Sequence, residues 1–283
     1  MRQLNDISQA REAVATMVDL TSAFEGIAST RIAQIKDQVL QSQQFFGELW
    51  RIYSQIRVDE LFHFGRRQAG AQVINKELMI LITGQGGFSG DIDERLVKEA
   101  LTNYKAEQND IIVIGHHGYI LLQQRGTTPK RSFELPKQDR NITAAPLIRE
   151  VQHYESTTVY YQSYVSLMTQ DVKTIKLAKA VSERGKSVKP GEEIISETNY
   201  IFEPSTFAVV DHLERSMMQI MLSEVILESK LAQYASRYRA MTVAKDRADE
   251  SLNDLTWQYN RAKLHMKDER LKEILNGLRR AKL

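Results

Sequence analysis

The sequence predicts an α/β fold with a long coiled coil: antiparallel N- and C-terminal helices forming a rod, plus a central Rossmann-like α/β domain. Three observations carry this. All five prolines (Pro129, Pro136, Pro146, Pro190 and Pro204) lie in the middle of the 283-residue chain, so residues 1–128 and 205–283 are free of the strongest helix breaker. At both ends apolar residues recur in alternating steps of three and four, the 3.5-residue repeat of a coiled-coil seam. The middle carries two short aliphatic runs on either side of a helix-like stretch.

Residues 1–58 are the first helix. Its expected seam runs Ile7, Ala10, Val14, Met17, Thr21, Phe24, Ala28, Arg31, Ile35, Gln38, Ser42, Phe45, Leu49, Ile52 and Ile56, with several polar members. A connector at 59–76 leads to the α/β domain, 77–204. There "ELMILIT" (77–83) and "NDIIVIG" (109–115) are strands buried on both faces, and "DIDERLVKEALTNYKAEQ" between them is a helix, which makes a β-α-β unit and a parallel sheet. "TTVYYQSYVSLMTQ" and "VKTIKLAKAV" form a strand pair with its turn near Gln170–Asp171. "SVKPGEE" is a turn by its Pro-Gly pair, and "ETNYIFEPS" is an extended run ending at Pro204. The last helix, 205–283, has a seam from Leu213, Met217 and Ile220 to Tyr259, Ala262 and Met266, with Glu224 and Lys245 at two of its positions. At 1.5 Å per residue it is on the order of 110 Å long, too long for a compact domain of this size. The shorter first helix can pair with it antiparallel.

The charge is nearly balanced, 38 basic against 36 acidic residues, so no overall field argues for nucleic acid or anionic lipid. Cysteine is absent, which excludes disulfides, thiolate metal sites and cysteine nucleophiles. No apolar leader opens the chain and its aliphatic runs are far short of the roughly 20 residues of a membrane span. The expectation is a soluble chain of the cytoplasm.

The loop "LITGQGGFSGD" (81–91) raises the question of a phosphate cradle. Glycines after a strand and before a helix can close backbone N–H groups on a pyrophosphate, which would make the chain a nucleotide-binding enzyme with a coiled-coil extension. The details speak for a tight turn instead. No Gly-Lys-Ser/Thr ends the loop, Gly84, Gly86 and Gly90 miss the dinucleotide spacing by one residue, and Asp91 brings a carboxylate. His116 and His117 are adjacent and point to different faces, so they do not readily share a metal. The acidic pair in "DIDER" suits a helix start without catalysis. No catalytic residue, cofactor or metal site is expected.

In this order of elements the chain resembles the gamma subunit of F-type ATP synthases. Thr83-Gly84-Gln85-Gly86-Gly87-Phe88-Ser89-Gly90 resembles the family's Ser-Asp-Arg-Gly-Leu-Cys-Gly loop, with the cysteine lost, and "VIGHHG" (113–118) is similar to its Val-Gly-Arg-Lys-Gly. "VYYQSYVSLMTQ" (159–170), "YIFEPS" (200–205), "ESKLAQYASRYRAMTVAKDRAD" (228–249) and "YNRAK" (259–263) follow further family stretches in the same order, so the resemblance covers essentially the whole chain.

The resemblance implies a bacterial central stalk that rotates inside a hexamer of alternating alpha and beta subunits and couples ion flow through a membrane ring of c subunits to ATP synthesis or hydrolysis. The stalk itself is then non-catalytic and peripheral, at the cytoplasmic face of the cell membrane, with an epsilon-type subunit as a further partner. Asn260, Arg261, Lys263, Leu264 and Arg270 would meet the beta subunits at the tip of the shaft. Tyr200, Phe202 and Glu203 would meet the ring at its foot. The tip departs from the family: Lys263-Leu264 stands where the family has Arg-Gln, which loses a planar fork and an amide, and Arg270 replaces a glutamate. Asp19-Leu20-Thr21 replaces Lys-Ile-Thr, and Phe24 a methionine. These departures leave room for a gamma-like shaft of a divergent rotary ATPase not dedicated to ATP synthesis. From Arg261 onward eight basic residues stand against three acidic ones, which suits acidic levers on the beta subunits. A polar, charged skin is expected where a shaft turns against its neighbours.

Overall fold

A computed structural model describes residues 2–55, 74–136, 142, 144–185, 201 and 203–281. Two compact units emerge, one of residues 28–237 and one of residues 1–27 with 238–283. Helix α1 (Arg2–Gln55) and helix α6 (Thr206–Ala281) each contribute to both.

In the unit of residues 28–237 a five-stranded sheet has the order β3-β2-β1-β4-β5. Strands β1 (Ile74–Ile82), β2 (Asn109–Ile114), β3 (Arg131–Phe133) and β4 (Tyr154–Tyr164) are parallel, and β5 (Gln170–Lys176) runs antiparallel to β4. The expected β-α-β unit is β1, α2 (Ile92–Asn103) and β2. Strand β1 starts three residues before the aliphatic run, because the Ile74 N–H donates to the His153 carbonyl at 2.9 Å beside β4.

Both faces of the sheet are covered, which is why its central strands read as unbroken apolar runs. Leu78, Ile80, Ile82, Ile112, Ile114, Val159 and Tyr161 face α4 (Ala145–Val151), α5 (Leu177–Gly185) and Met217, Met221, Leu222, Val225 and Ile226 of α6. On the other face Met79, Leu81, Ile111, Val113 and Tyr160 pack on Leu96, Val97 and Ala100 of α2 and Leu122 of α3 (His116–Gln124). Ile35 of α1 is buried with Leu227 and Leu231 of α6.

Two expectations in this unit are corrected. The turn between β4 and β5 lies at 165–169 rather than near Gln170–Asp171. It carries neither glycine nor proline; the Ser166 hydroxyl accepts from the Thr169 N–H at 3.0 Å, and the Gln170 amide donates to the carbonyls of Ser166 and Leu167. The segment "LAKAV" is the start of α5 rather than strand. Leu177 and Val181, four apart, both point into the core, a helical spacing hidden by the preceding β-branched run. The turn "SVKPGEE", residues 56–73 and most of "ETNYIFEPS" lie outside the described residues.

In the unit of residues 1–27 and 238–283 the two helices run antiparallel. Arg11 lies over the Tyr259 ring at 4.7 Å, whereas Glu25, later in α1, meets Thr242 and Lys245, earlier in α6. Every expected seam position of α6 from Leu213 to Met266 is at least partly buried. On α1 only one of the two expected columns holds. Ile7, Val14, Thr21 and Ala28 are covered, continuing to Ile35 and Leu49, but Ala10, Met17, Phe24 and Arg31 are exposed. Their place is taken one residue later by Arg11, Val18, Glu25 and Ile32. Apolarity pointed to the wrong column because two covered positions are charged and have partners on α6. Gln38 is partly covered, while the side chains of Ser42, Phe45, Ile52 and Ile56 fall outside the described ones.

Candidate functional site

The glycine loop is tied down from three sides. Thr83, at the end of β1, donates its hydroxyl hydrogen to the Ile114 carbonyl at 2.9 Å and accepts from the Gly118 N–H at 3.1 Å. A Cβ on Gly118 would stand 2.5 Å from the Thr83 hydroxyl oxygen, so only glycine lets α3 approach this closely. Gln85 accepts from the Leu135 N–H, Arg237 donates to the Gly87 carbonyl and Ser236 donates to the Ser89 carbonyl at 2.6 Å. The N–H of Gly84, which a phosphate would need, instead donates to both carboxylate oxygens of Asp93 at 3.2 Å. Asp93 is wholly buried in the first turn of α2, so the place of an anion is already filled by a side chain of the protein. This geometry is a strand-to-helix turn and not a phosphate cradle.

His116 and His117 diverge as their adjacency requires. His117 Nδ1 donates to Asp93 at 2.7 Å, whereas His116 is exposed and stacks with Tyr119. Asp93, His117, Gln162, Ser229 and Gln233 form a polar group that the sequence reading did not assemble. Two signals for it are visible: the glutamine of the buried strand "TTVYYQSYV", and Ser229 and Gln233 spaced by four on the helix face that also carries Leu222, Val225 and Ile226.

The second candidate is the outer surface of the helix pair. Asn260, Arg261, Lys263, Leu264 and Arg270 are all exposed on α6. Arg261 lies over the Trp257 ring at 5.4 Å and Lys263 over the Tyr259 ring at 5.9 Å. Residues 267–280 are exposed throughout. The expected polar skin is broken by two apolar rows. Trp257, Leu264, Leu271 and Leu278, seven apart, line the face of α6 turned away from the seam, with Trp257 63% and Leu264 61% exposed. Met17, Leu20, Phe24 and Ile27 make a similar row on α1, Met17 being 59% exposed. Spacing by seven keeps each row on one side of its helix.

At the other expected contact, Tyr200 and Phe202 lie outside the described residues, and Glu203 is exposed just before α6. No helix among the described residues is long and apolar enough to cross a membrane.

A profile of the family described as ATP synthase matches residues 3–279. Over 292 residues the chain is 25% identical to the ATP synthase gamma chain of Geobacter sp. (strain M21), with 98% of each covered. It is 24% identical to the ATP synthase gamma chain of Chlorobaculum parvum, again with 98% of each covered. Its fold is similar to a chain in the Euglena gracilis mitochondrial ATP synthase (OSCP/F1/c-ring), with a TM-score of 0.60 at 13% identity, covering 96% of this chain and 94% of that one. A chain of the Tetrahymena thermophila mitochondrial ATP synthase central stalk and c-ring gives 0.55 at 18% identity, covering 80% and 99%.

Proposed function

The chain belongs to the gamma-subunit family of ATP synthase, the central rotor stalk of that machine, and we propose that the outer face of its helix pair is the surface on which the stalk is turned. The observation that carries this is the pair of exposed apolar rows, Met17 to Ile27 on α1 and Trp257 to Leu278 on α6. Rows of this kind on an otherwise charged helix mark a contact with another protein. The partners are the alpha and beta subunits of a hexamer. Asn260, Arg261, Lys263 and Arg270 supply polar and basic contacts beside Leu264, which takes an apolar one where an amide would bond directionally. The basic end of α6 complements acidic groups on the beta subunits.

Ion flow through a ring of c subunits turns the stalk and couples it to ATP synthesis or hydrolysis, and Glu203, with Tyr200 and Phe202, belongs to the end that meets the ring and an epsilon-type subunit. The chain itself is non-catalytic. Its glycine loop supports this reading, since Asp93 occupies the position of an anion. The stalk is a peripheral part of the complex, on the cytoplasmic face of the membrane.

The test is reconstitution with alpha and beta subunits and the membrane ring. Replacing Leu264 and Leu271 with Glu removes apolar contact from positions that are exposed in the chain alone, so its melting temperature stays within about 2 °C of wild type. ATP-driven proton pumping is expected to fall at least about tenfold relative to ATP hydrolysis, the effect of losing roughly 1.4 kcal/mol at the contact. Unchanged pumping with unchanged assembly overturns the assignment of this face. A pull-down of the tagged chain from its own cells that recovers no alpha or beta subunit overturns the partners.

A further inference from the structure

Asp93 is reached from three elements of the unit of residues 28–237. The loop after β1 offers the Gly84 N–H, α3 offers His117 Nδ1 at 2.7 Å, and β4 offers Gln162 Nε2 at 2.6 Å. A carboxylate oxygen only accepts, so His117 presents Nδ1–H and Gln162 turns its NH2 group to Asp93. The carbonyl end of Gln162 then faces α6, where it accepts from the Ser229 hydroxyl and from the Gln233 amide at 3.2 Å. Gln233 also donates to Ser229 at 3.0 Å. Asp93, Gln162, Ser229 and Gln233 are all buried, so each hydrogen bond lost there leaves a polar atom without water to replace its partner. Asp93 thereby sets the donor and acceptor polarity of the sheet's contact with α6 through one amide. His117, with 27% of its side chain exposed, connects the group to solvent.

We propose that Asp93 is a positioning residue that seats α6 on the α/β unit, and that His117 makes the seat proton-dependent. The other charged groups nearby are committed elsewhere or lie outward. Glu94 of α2 pairs with Arg125 at 3.1 Å, Arg95 of α2 with Asp171 of β5 at 3.4 Å, and His116 of α3 is exposed. On α6, Lys230 donates to the Pro136 carbonyl at 2.7 Å and Arg237 to the Gly87 carbonyl at 3.3 Å. The hydrogen bond to Asp93 raises the His117 pKa above its ordinary value, burial opposes this, and the charge of Asp93 adds to the rise. The charged bond is therefore complete below about pH 6.5 and weakens as pH rises through the elevated pKa. Its consequence for torque, a stalk whose α/β unit grips the long helix more loosely in an alkaline medium, rests on the rotor reading. The grip itself does not.

The experiment is amide hydrogen exchange on the isolated full chain between pH 6 and pH 9, corrected for intrinsic exchange, read at residues 229–236 and 84–90. Wild-type protection is expected to fall with rising pH, about tenfold for each unit by which the pair lifts the His117 pKa. His117→Gln should give low protection that no longer depends on pH, and His117→Lys, charged throughout this range, high protection that no longer depends on pH. Asp93→Asn should lose protection already at pH 6; if it does not fold, the two His117 variants decide alone. A flat wild-type profile, or His117→Gln and His117→Lys both keeping the wild-type slope, overturns the proposal. Because no partner subunit enters the measurement, its failure leaves the rotor reading standing, and the failure of that reading leaves the grip standing.

Discussion

Helix α6 lives in two settings, and the difference shows how one continuous helix is held by two kinds of chemistry. Between Met221 and Ser236 it is embedded in the α/β unit and buried on nearly every side. Several of its polar residues there are buried and matched: Ser223 to the Ile142 carbonyl at 2.9 Å, Lys230 to the Pro136 carbonyl, Ser236 to the Ser89 carbonyl. Between Met241 and Met266 only a stripe is covered, and the polar contacts sit at its margin, Glu25 with Thr242 and Lys245, Arg11 over Tyr259. Water replaces a lost partner at the margin of a stripe but not in the interior. The embedded part is therefore specific and brittle, the paired part tolerant and tunable.

The same substitution should have opposite signs in the two settings. Gly115, after β2, has φ +99°, and a Cβ there would stand 2.2 Å from the Thr83 carbonyl oxygen, a backbone atom fixed in the sheet. Gly115→Ala is expected to cost on the order of 4 kcal/mol or more, read as loss of the cooperative unfolding transition. Gly26, within α1, meets nothing within 4 Å of such a Cβ, and Gly26→Ala should raise stability by about 0.5–1 kcal/mol through helix propensity. Truncations separate the two settings more finely. Leu222, fully buried against the sheet, should lose about 3 kcal/mol on replacement by Ala, whereas Leu252, part of the stripe, should lose about 1 kcal/mol. Equal losses in urea denaturation would break the comparison.

How much of this was legible in the sequence follows from the same contrast. The β-α-β unit could be read because a strand buried on both faces must be apolar at every position, and the stripe of α6 could be read because one buried face imposes a 3.5-residue period. The second column of α1 could not, because Arg11 and Glu25 are covered through partners far away in the chain, and hydropathy ranks them below Ala10 and Phe24. The β4–β5 turn escaped because Ser166 and Gln170 close it with side chains instead of glycine or proline. Asp93 was visible only as a helix-start acid; its partners His117 and Gln162, and the Ser229 and Gln233 that bond Gln162 in turn, come from three other elements, and no local spacing announces such a convergence. The apolar rows at Met17–Ile27 and Trp257–Leu278 were visible as letters, yet their exposure depends on which column faces the seam.

The smallest expected effect sharpens the comparison most, because it runs against the pH response of His117. The Thr242 hydroxyl donates to Glu25 at 2.7 Å and is the main cause holding its pKa below the ordinary carboxylate value; burial opposes this, and Lys245 at 3.4 Å adds to the lowering. A carboxyl whose pKa is lower in the folded chain stabilises it fully above about pH 4.3 and loses that contribution as pH falls through the lowered value. Glu25→Gln should cost about 0.5–1 kcal/mol at pH 7, and the cost should shrink as pH falls through the lowered value and Glu25 itself becomes neutral. A double-mutant cycle with Lys245→Met should assign about 0.5 kcal/mol to the ion pair, shrinking in 1 M salt, with the rest belonging to the hydroxyls of Thr242 and Tyr238. Acid then loosens the helix pair while base loosens the seat of α6 on the sheet. A Glu25→Gln penalty that does not shrink as acid protonates Glu25 would mean that shape at the seam, and not charge, holds the paired part of the helix, and the two settings would differ only in depth of burial.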